Sequence, residues 1–78
     1  MISLIELNPG QKAVIQHLRG GRFLFSRLAC LGFTPGTTIT VIRNWHHGPL
    51  LISARGGQVA LGRREAAHIM VTPYKDEG

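Results

Sequence analysis

Few side chains in this sequence are spaced so that they could do chemistry together. His46 and His47 are the best metal-binding candidates, because imidazole is a good ligand for first-row transition metals. Adjacent residues of an extended chain point to opposite faces, so this pair chelates one ion only if the loop bends. His17 and His68 are distant in sequence and have no ligand spacing to another histidine. We therefore predict solvated loop histidines, keep His46 and His47 as weak metal candidates, and expect no cofactor.

Catalytic side chains also lack the partners that catalysis requires. A nucleophile needs a base and an orienting group, and neither Ser26 nor Ser53 has a histidine and an acid beside it. No glycine-rich motif followed by Lys-Ser or Lys-Thr is present, which excludes P-loop binding of GTP. The single cysteine, Cys30, cannot form an internal disulfide and is interpreted as a small apolar helix residue. The sequence therefore predicts a protein that is not an enzyme.

One short amphipathic helix is predicted in the segment that contains Cys30. Leu24, Leu28 and Leu31 recur at helical spacing and are expected to face the core. Gly32 follows where a helix C-terminus favours a left-handed residue, and Pro35-Gly36 then forces a turn. Phe25 and Phe33 are expected to help fill the core.

The rest of the chain is predicted to form five short strands. Turn signals separate them, Gly56-Gly57 is expected to be a hairpin turn, and a break in alternation predicts a bulge near His17. Arg63 to Ala67 is expected to form a helical turn before the last strand. The predicted fold is mainly β: a small curved barrel with one short α-helix between strands 1 and 2, whose closure removes exposed edges. The predicted strands are Lys12–Leu18, Thr38–Asn44, Leu50–Arg55, Gln58–Gly62 and His68–Thr72.

Length and charge narrow the possible classes of protein. The 78 residues, of which 44% are hydrophobic, predict one globular domain over residues 1–73 and a polar tail over 74–78. No apolar run is long enough to cross a bilayer and no signal peptide is visible, so we expect a cytoplasmic protein. The net charge of +5 favours an acidic partner, which could be a nucleic acid, an anionic membrane or an acidic protein surface.

Several short motifs follow one another along almost the whole chain, from about Ile2 to Thr72. The motifs are Leu4, Leu7, Pro9-Gly10, Ala13, Ile15 and Leu18; Arg27-Leu28, Leu31-Gly32-Phe33 and Pro35-Gly36; and Ala60-Leu61-Gly62-Arg63, Glu65-Ala66 and Ile69-Met70-Val71. Their order resembles that of the ferrous iron transport protein A (FeoA) family.

This resemblance implies an SH3-like barrel and a small cytoplasmic accessory protein of ferrous iron uptake. The implied partner is the membrane-bound ferrous iron transporter FeoB, which carries a GTPase domain. The same fold forms a C-terminal module of iron-dependent repressors of the diphtheria toxin repressor type, so fold alone does not assign the function. The loop Trp45-His46-His47 departs from the ordinary polar loop expected in the family.

A protein-binding surface is predicted on the outer side of the helix. An apolar ring flanked by arginines is typical of interfaces, and Trp45 in the following loop is expected to form a second patch. In the alternative interpretation, Phe23 packs on a neighbouring strand and Arg27 donates to strand carbonyl groups. The predicted partner-binding residues are Arg22, Phe23, Ser26, Arg27 and Trp45.

Nucleic-acid binding is the rival function from another class. SH3-like barrels can bind RNA or DNA, and single-strand binders place stacking aromatic rings in a basic groove. The arginines of this chain are scattered, which is more typical of a solvated face. We therefore expect no nucleic acid partner and expect membrane contact only through the transporter. A weak homo-oligomer and the sign of any effect on transport are left open.

Overall fold

The structure is a computed structural model that describes residues 1–45 and 47–74. In this part of the chain, six antiparallel strands form one sheet in the order β1-β6-β2-β3-β4-β5. The strands are β1 Ile2–Ser3, β2 Lys12–Leu18, β3 Thr38–Asn44, β4 Leu50–Ala54, β5 Gly57–Leu61 and β6 Ile69–Tyr74. The helices are a 3-10 helix Leu4–Glu6, α1 Gly21–Cys30 and α2 Arg63–Ala67.

The mainly β prediction is confirmed, and the strand count rises from five to six. The additional strand, β1, has two residues and is too short to show alternation. The last strand continues past Pro73, which pairs with Ala13, to Tyr74. Proline is tolerated there because β1 pairs only with Met70 and Val71, which leaves the other side of Pro73 free of a neighbouring strand. Residues 75–78 of the predicted tail lie outside the described residues, and the division into domain and tail stays a prediction.

Two irregularities bend the sheet around its core. The pairing of β2 with β6 shifts register between Ile15 and His17, which confirms the predicted bulge. The pairing of β3 with β4 shifts between Val41 and Arg43. Bulges increase the local twist, so they curve the strands around one apolar face.

The core lies on the inner face of this sheet. Alternate strand residues supply most of it, as the sequence pattern predicts. The three helices add Leu4, Leu28 and Ala66, and the segments after the 3-10 helix and after α1 add Leu7 and Phe33. Phe33 is buried as expected, whereas Phe25 is 47% exposed, so its assignment to the core is wrong. The buried apolar residues are Leu4, Leu7, Ala13, Ile15, Leu28, Phe33, Ile39, Val41, Leu50, Ile52, Leu61, Ala66, Ile69 and Val71.

The ends of the sheet are β1 and β5, and among the described residues these two strands do not pair with each other. The 3-10 helix follows β1, α2 follows β5, and the two helices contact each other. Helical packing, not strand pairing, therefore connects the ends of the sheet. The expectation that closure removes exposed edges is wrong for β5, which pairs only with β4 in the described part of the chain.

The hairpin between β4 and β5 turns one residue earlier than predicted. Arg55 and Gly56 have φ values of 53° and 83°, and Gly57 already pairs with Ala54. A two-residue hairpin turn of this type needs positive φ at both central positions. Arg55 therefore adopts the positive φ that the prediction of a Gly56-Gly57 turn placed at a glycine.

Candidate docking surface

The start of α1 depends on a glycine that accepts a close neighbour. Gly20 has φ of 109°, and a Cβ atom there would lie 2.6 Å from Cδ2 of Leu24. The Arg19 N–H donates to the His68 carbonyl at 2.7 Å, which ties the end of β2 to the end of α2. These two features set the position at which α1 leaves the sheet.

The end of α1 is a Schellman motif, which confirms the stop predicted at Gly32. The Phe33 N–H donates to the Leu28 carbonyl at 2.8 Å, and the Gly32 N–H donates to the Ala29 carbonyl at 3.0 Å. Gly32 has the left-handed φ of 89° that this motif requires. The motif directs the Phe33 side chain into the core beside Leu28, and both are buried.

The inner face of α1 is narrower than the leucine spacing predicts. Leu28 is fully buried and Leu24 is partly buried against the core. Leu31 is 44% exposed, so the prediction that it faces the core is wrong. It is the C-cap residue, where the chain leaves the helix, and Phe33 is the next apolar residue to enter the core.

The outer face of α1 carries the predicted binding residues of the helix together. We call Arg22, Phe23, Ser26 and Arg27 the α1 face; all four are exposed. Ser26 and Arg27 lie three and four residues after Phe23, so helical geometry places them beside its ring. Phe23 is 95% exposed, which excludes the alternative that it packs on a neighbouring strand.

Arg27 is tied to α2 by an ion pair with Glu65. Its Nη1 atom donates to Oε2 of Glu65, while Oε1 of the same carboxylate accepts the Gly62 N–H at 3.2 Å. The second bond caps the N-terminus of α2. The alternative that Arg27 donates to strand carbonyl groups is therefore wrong, because its partner is a carboxylate on a helix.

Trp45, the remaining predicted binding residue, is held at the end of β3. Its side chain is 63% exposed, and the Arg43 guanidinium lies 5.4 Å from the ring centroid. We call Arg43 and Trp45 the Trp45 patch. Nη1 of Arg63 donates to the Trp45 carbonyl at 2.7 Å and to Oδ1 of Asn44 at 3.0 Å. These bonds fix the backbone beneath the exposed ring.

The helix α2 connects the α1 face with the Trp45 patch. Arg63 contacts the Trp45 patch, and Glu65 contacts the α1 face. Neither contact was predicted from the sequence. Glu65 stands three residues after Gly62, and this spacing, typical of a helix N-terminus, would have indicated its capping role. No local signal indicates the pairing with Arg27, which is distant in the chain.

The charges of the chain are strongly segregated along the sequence. All but one of the nine Lys and Arg residues lie between Glu6 and Glu65, and that segment contains no carboxylate. Glu6 accepts the Ser3 N–H at 3.2 Å, and Glu65 is engaged by Arg27 and Gly62. The exposed surface that this segment forms is therefore basic, which favours acidic partners.

Only one of the two histidines predicted as metal candidates lies within the described residues. His47 is exposed and His46 lies outside the described residues. Residues 1–45 and 47–74 contain no group of three or more His, Cys, Asp or Glu side chains placed to hold a metal ion.

The same residues contain no helix whose length and hydropathy would let it span a bilayer.

The curved sheet with one exposed helix is the architecture of an SH3-like protein. Comparison with known proteins identifies the family within that class. The FeoA domain matches residues 2–73, so the chain belongs to the FeoA family. A protein of Methanocaldococcus jannaschii, provisionally named Fe(2+) transport protein A, is 34% identical over 71 residues, which cover 91% of this chain and 85% of that protein.

Solved structures agree with the family and the fold. A crystal structure of an iron uptake regulatory protein (FeoA) is 34% identical, with a TM-score of 0.89 over 94% of this chain and 97% of that one. The FeoA of Stenotrophomonas maltophilia, solved with zinc and described as a procaryotic SH3 domain protein, is 27% identical, with a TM-score of 0.76 over 92% and 91% of the two chains. The predicted family and SH3-like fold are confirmed, and the family is associated with Fe(2+) transport.

The fold also occurs in a manganese-dependent transcriptional repressor. That protein is 16% identical, with a TM-score of 0.87, and this chain covers 41% of its length. At this identity the likeness shows the fold alone. The nucleic-acid alternative gains nothing from it, since 59% of the repressor has no counterpart here.

Proposed function

We propose that this protein is an accessory subunit of ferrous iron uptake that docks on the cytoplasmic part of the transporter FeoB through its α1 face. The observation that carries the proposal is Phe23, whose ring is 95% exposed and flanked by Arg22, Ser26 and Arg27. An aromatic ring beside arginines is the usual composition of an interface hot spot. Membership of an Fe(2+) transport family supplies the kind of partner.

The charge distribution supports an acidic contact surface on that partner. Arg22 belongs to the segment that lacks carboxylates, and among the described residues the carboxylate paired with Arg27 is that of Glu65. Long-range attraction would speed the encounter, while burial of Phe23 would slow dissociation. The Trp45 patch extends the same surface across α2. The protein acts by shifting the transporter's GTPase domain between conformations and does no chemistry itself.

Binding to the purified cytoplasmic domain of FeoB, measured by surface plasmon resonance, tests this proposal. Phe23→Ala removes the anchor and is expected to weaken binding at least tenfold, because a central aromatic residue of a hot spot contributes about 2 kcal/mol or more. Combining it with Arg27→Ala is expected to weaken binding further.

Phe25→Ala is the matched control, since it removes the same side chain from the same helix but from outside the α1 face. Its binding should stay within about twofold of the wild type once folding is verified by thermal denaturation. Equal losses for Phe23→Ala and Phe25→Ala, or no loss for either, would remove the α1 face from the proposal. Glu65→Gln leaves Arg27 in place and separates loss of the ion pair from loss of the arginine.

A further inference from the structure

A second surface lies at the outer edge of β5, which has no neighbouring strand among residues 1–45 and 47–74. The strand pairs with β4 in regular register, from Ala54 opposite Gly57 to Leu50 opposite Leu61. In a two-residue hairpin the residues that flank the turn exchange both hydrogen bonds, and bonded and non-bonded pairs then alternate. The N–H groups of Gly57, Val59 and Leu61 therefore point toward β4. Those of Gln58 and Ala60 point away from it.

This edge lacks the usual protection against strand pairing. Natural edges are blunted by charges, proline, bulges or very short strands, or are covered by a helix or loop. The strand β5 contains no charged residue, no proline and no bulge, and it has five residues. The strand β1, at the other end of the sheet, has only two residues. The side chains of Gln58 and Ala60 are exposed. Within the described residues, no backbone hydrogen bond beyond the sheet engages Gln58 or Ala60.

The charges around β5 select the kind of strand that could add to it. Arg55 lies at the hairpin turn before β5, and Arg63 and Arg64 follow its other end. No carboxylate lies between Arg55 and Arg64 in the sequence. An extended segment with carboxylates at both ends would place each of them near an arginine.

A second copy of this chain fits the edge poorly. In the antiparallel register that engages both outward residues of each copy within β5, Gln58 lies opposite Ala60. The same register sets Arg55 of each copy opposite Arg63 of the other. Two like-charge pairs would then lie across the interface, which is destabilising.

We propose that β5 is a β-addition site for an extended acidic polypeptide segment, which pairs with the outward backbone groups of Gln58 and Ala60. Main-chain bonds would provide the affinity and the flanking arginines the selectivity. The small Ala60 side chain leaves space for a larger residue on the added strand. This site is separate from the α1 face and does not depend on the proposed function.

Nuclear magnetic resonance of the ¹⁵N-labelled protein tests the site, since it detects weak peptide binding residue by residue. The probe is the peptide acetyl-ETVTVE-amide, and its neutral counterpart acetyl-QTVTVQ-amide is the control. In the free protein, the amides of Gln58 and Ala60 should exchange with solvent faster than that of Val59. Saturating acidic peptide should slow exchange at Gln58 and Ala60 and leave Val59 unchanged. The neutral peptide should bind several-fold more weakly at low salt.

Variants at the edge separate strand addition from adventitious contact. Ala60→Pro removes an outward N–H without touching the β4 ladder and should weaken peptide binding about tenfold. Ala60→Thr keeps the N–H and should bind within about twofold of the wild type, and thermal denaturation checks that both variants fold. Shifts confined to the α1 face, unchanged affinity of Ala60→Pro, or self-association without peptide that Ala60→Pro abolishes would each overturn the proposal. The exchange rates of Gln58, Ala60 and Val59 are measured on the wild-type protein, so that part of the test does not depend on whether a variant folds.

Discussion

The two α-helices of this protein are held in opposite ways. The longer one, α1, has ten residues but only Leu28 is fully buried, and its outer side contacts α2 through Arg27. The shorter one, α2, has five residues and is fixed by hydrogen bonds at several points. Ser3 Oγ donates to the Ala67 carbonyl at 3.1 Å, Arg63 binds Asn44, and Glu65 caps its first turn. A helix with one fully buried side chain leaves most of its surface available to a partner.

The polar contacts of α2 also explain how the sheet tolerates an open end. Asn44 at the end of β3 donates Nδ2 to the carbonyls of Ile5 and Leu7, at 2.9 and 2.7 Å. Its Oδ1 accepts from Arg63 at the same time. One side chain therefore ties β3, the segment after β1 and α2 together. We infer from this difference that α1 is the binding element and α2 the structural one, and substitutions at Leu28, Asn44 and Glu65 test the inference.

The largest expected effect is on the single apolar anchor of α1. Leu28→Ala should lower the free energy of unfolding by about 2–5 kcal/mol, because it leaves a cavity under a helix that has no other fully buried side chain. Urea denaturation followed by circular dichroism measures the loss. Phe23→Ala is the matched control on the same helix and should change stability by less than about 0.5 kcal/mol. Similar losses for the two variants would mean that the outer side of α1 also contributes to folding.

The outcome for α1 shows where sequence reasoning succeeds and fails. The stop at Gly32 was predictable because a left-handed residue after a run of leucines is a local signal. The exposure of Leu31 and Phe25 was not, since spacing shows that a helix has an apolar side but not how wide the buried contact is. The exposure of Phe23 was likewise not predictable from spacing, because it depends on where the neighbouring strands lie relative to α1.

The strands show the same division between local and long-range information. The bulge near His17 follows from broken alternation within one strand, and the structure contains it. The open edge of β5 depends on whether β1 and β5 meet, and no pattern within either strand encodes that. The pairing of Arg27 with Glu65 is likewise set by the packing of distant elements. Of the candidate site, the helix face was predictable and its connection to Trp45 through α2 was not.

A smaller effect is expected from the residue that joins α2 to the sheet. Asn44→Ala removes two hydrogen bonds to carbonyls and one from Arg63, and should cost about 2 kcal/mol in the free energy of unfolding. Asn44→Asp keeps an acceptor for Arg63 but sets a carboxylate against the carbonyls of Ile5 and Leu7, so its loss should be at least as large. Urea denaturation distinguishes them. A stable Asn44→Ala variant would show that the remaining contacts of α2 hold its position without the bond between Arg63 and Asn44.

The smallest effect is expected at the contact between the two helices. Glu65→Gln keeps the oxygen that accepts the Gly62 N–H and loses the charge opposite Arg27, whose side chain is 61% exposed. Because solvent screens such a pair, the loss should be below about 1 kcal/mol and should vanish in 1 M salt. Glu65→Ala removes the cap as well and should cost about 1 kcal/mol more.

Salt-dependent urea denaturation of these two variants, with Arg27→Ala added to each, completes the comparison. Adding Arg27→Ala to Glu65→Gln should have no further effect on stability, because the ion pair is already lost. If Glu65→Gln instead loses clearly more than about 1 kcal/mol and the loss persists in 1 M salt, the pair with Arg27 is strong and holds α1 against α2. In that case α1 depends on α2 for its position, and the contrast between a lightly held helix and a firmly held one fails.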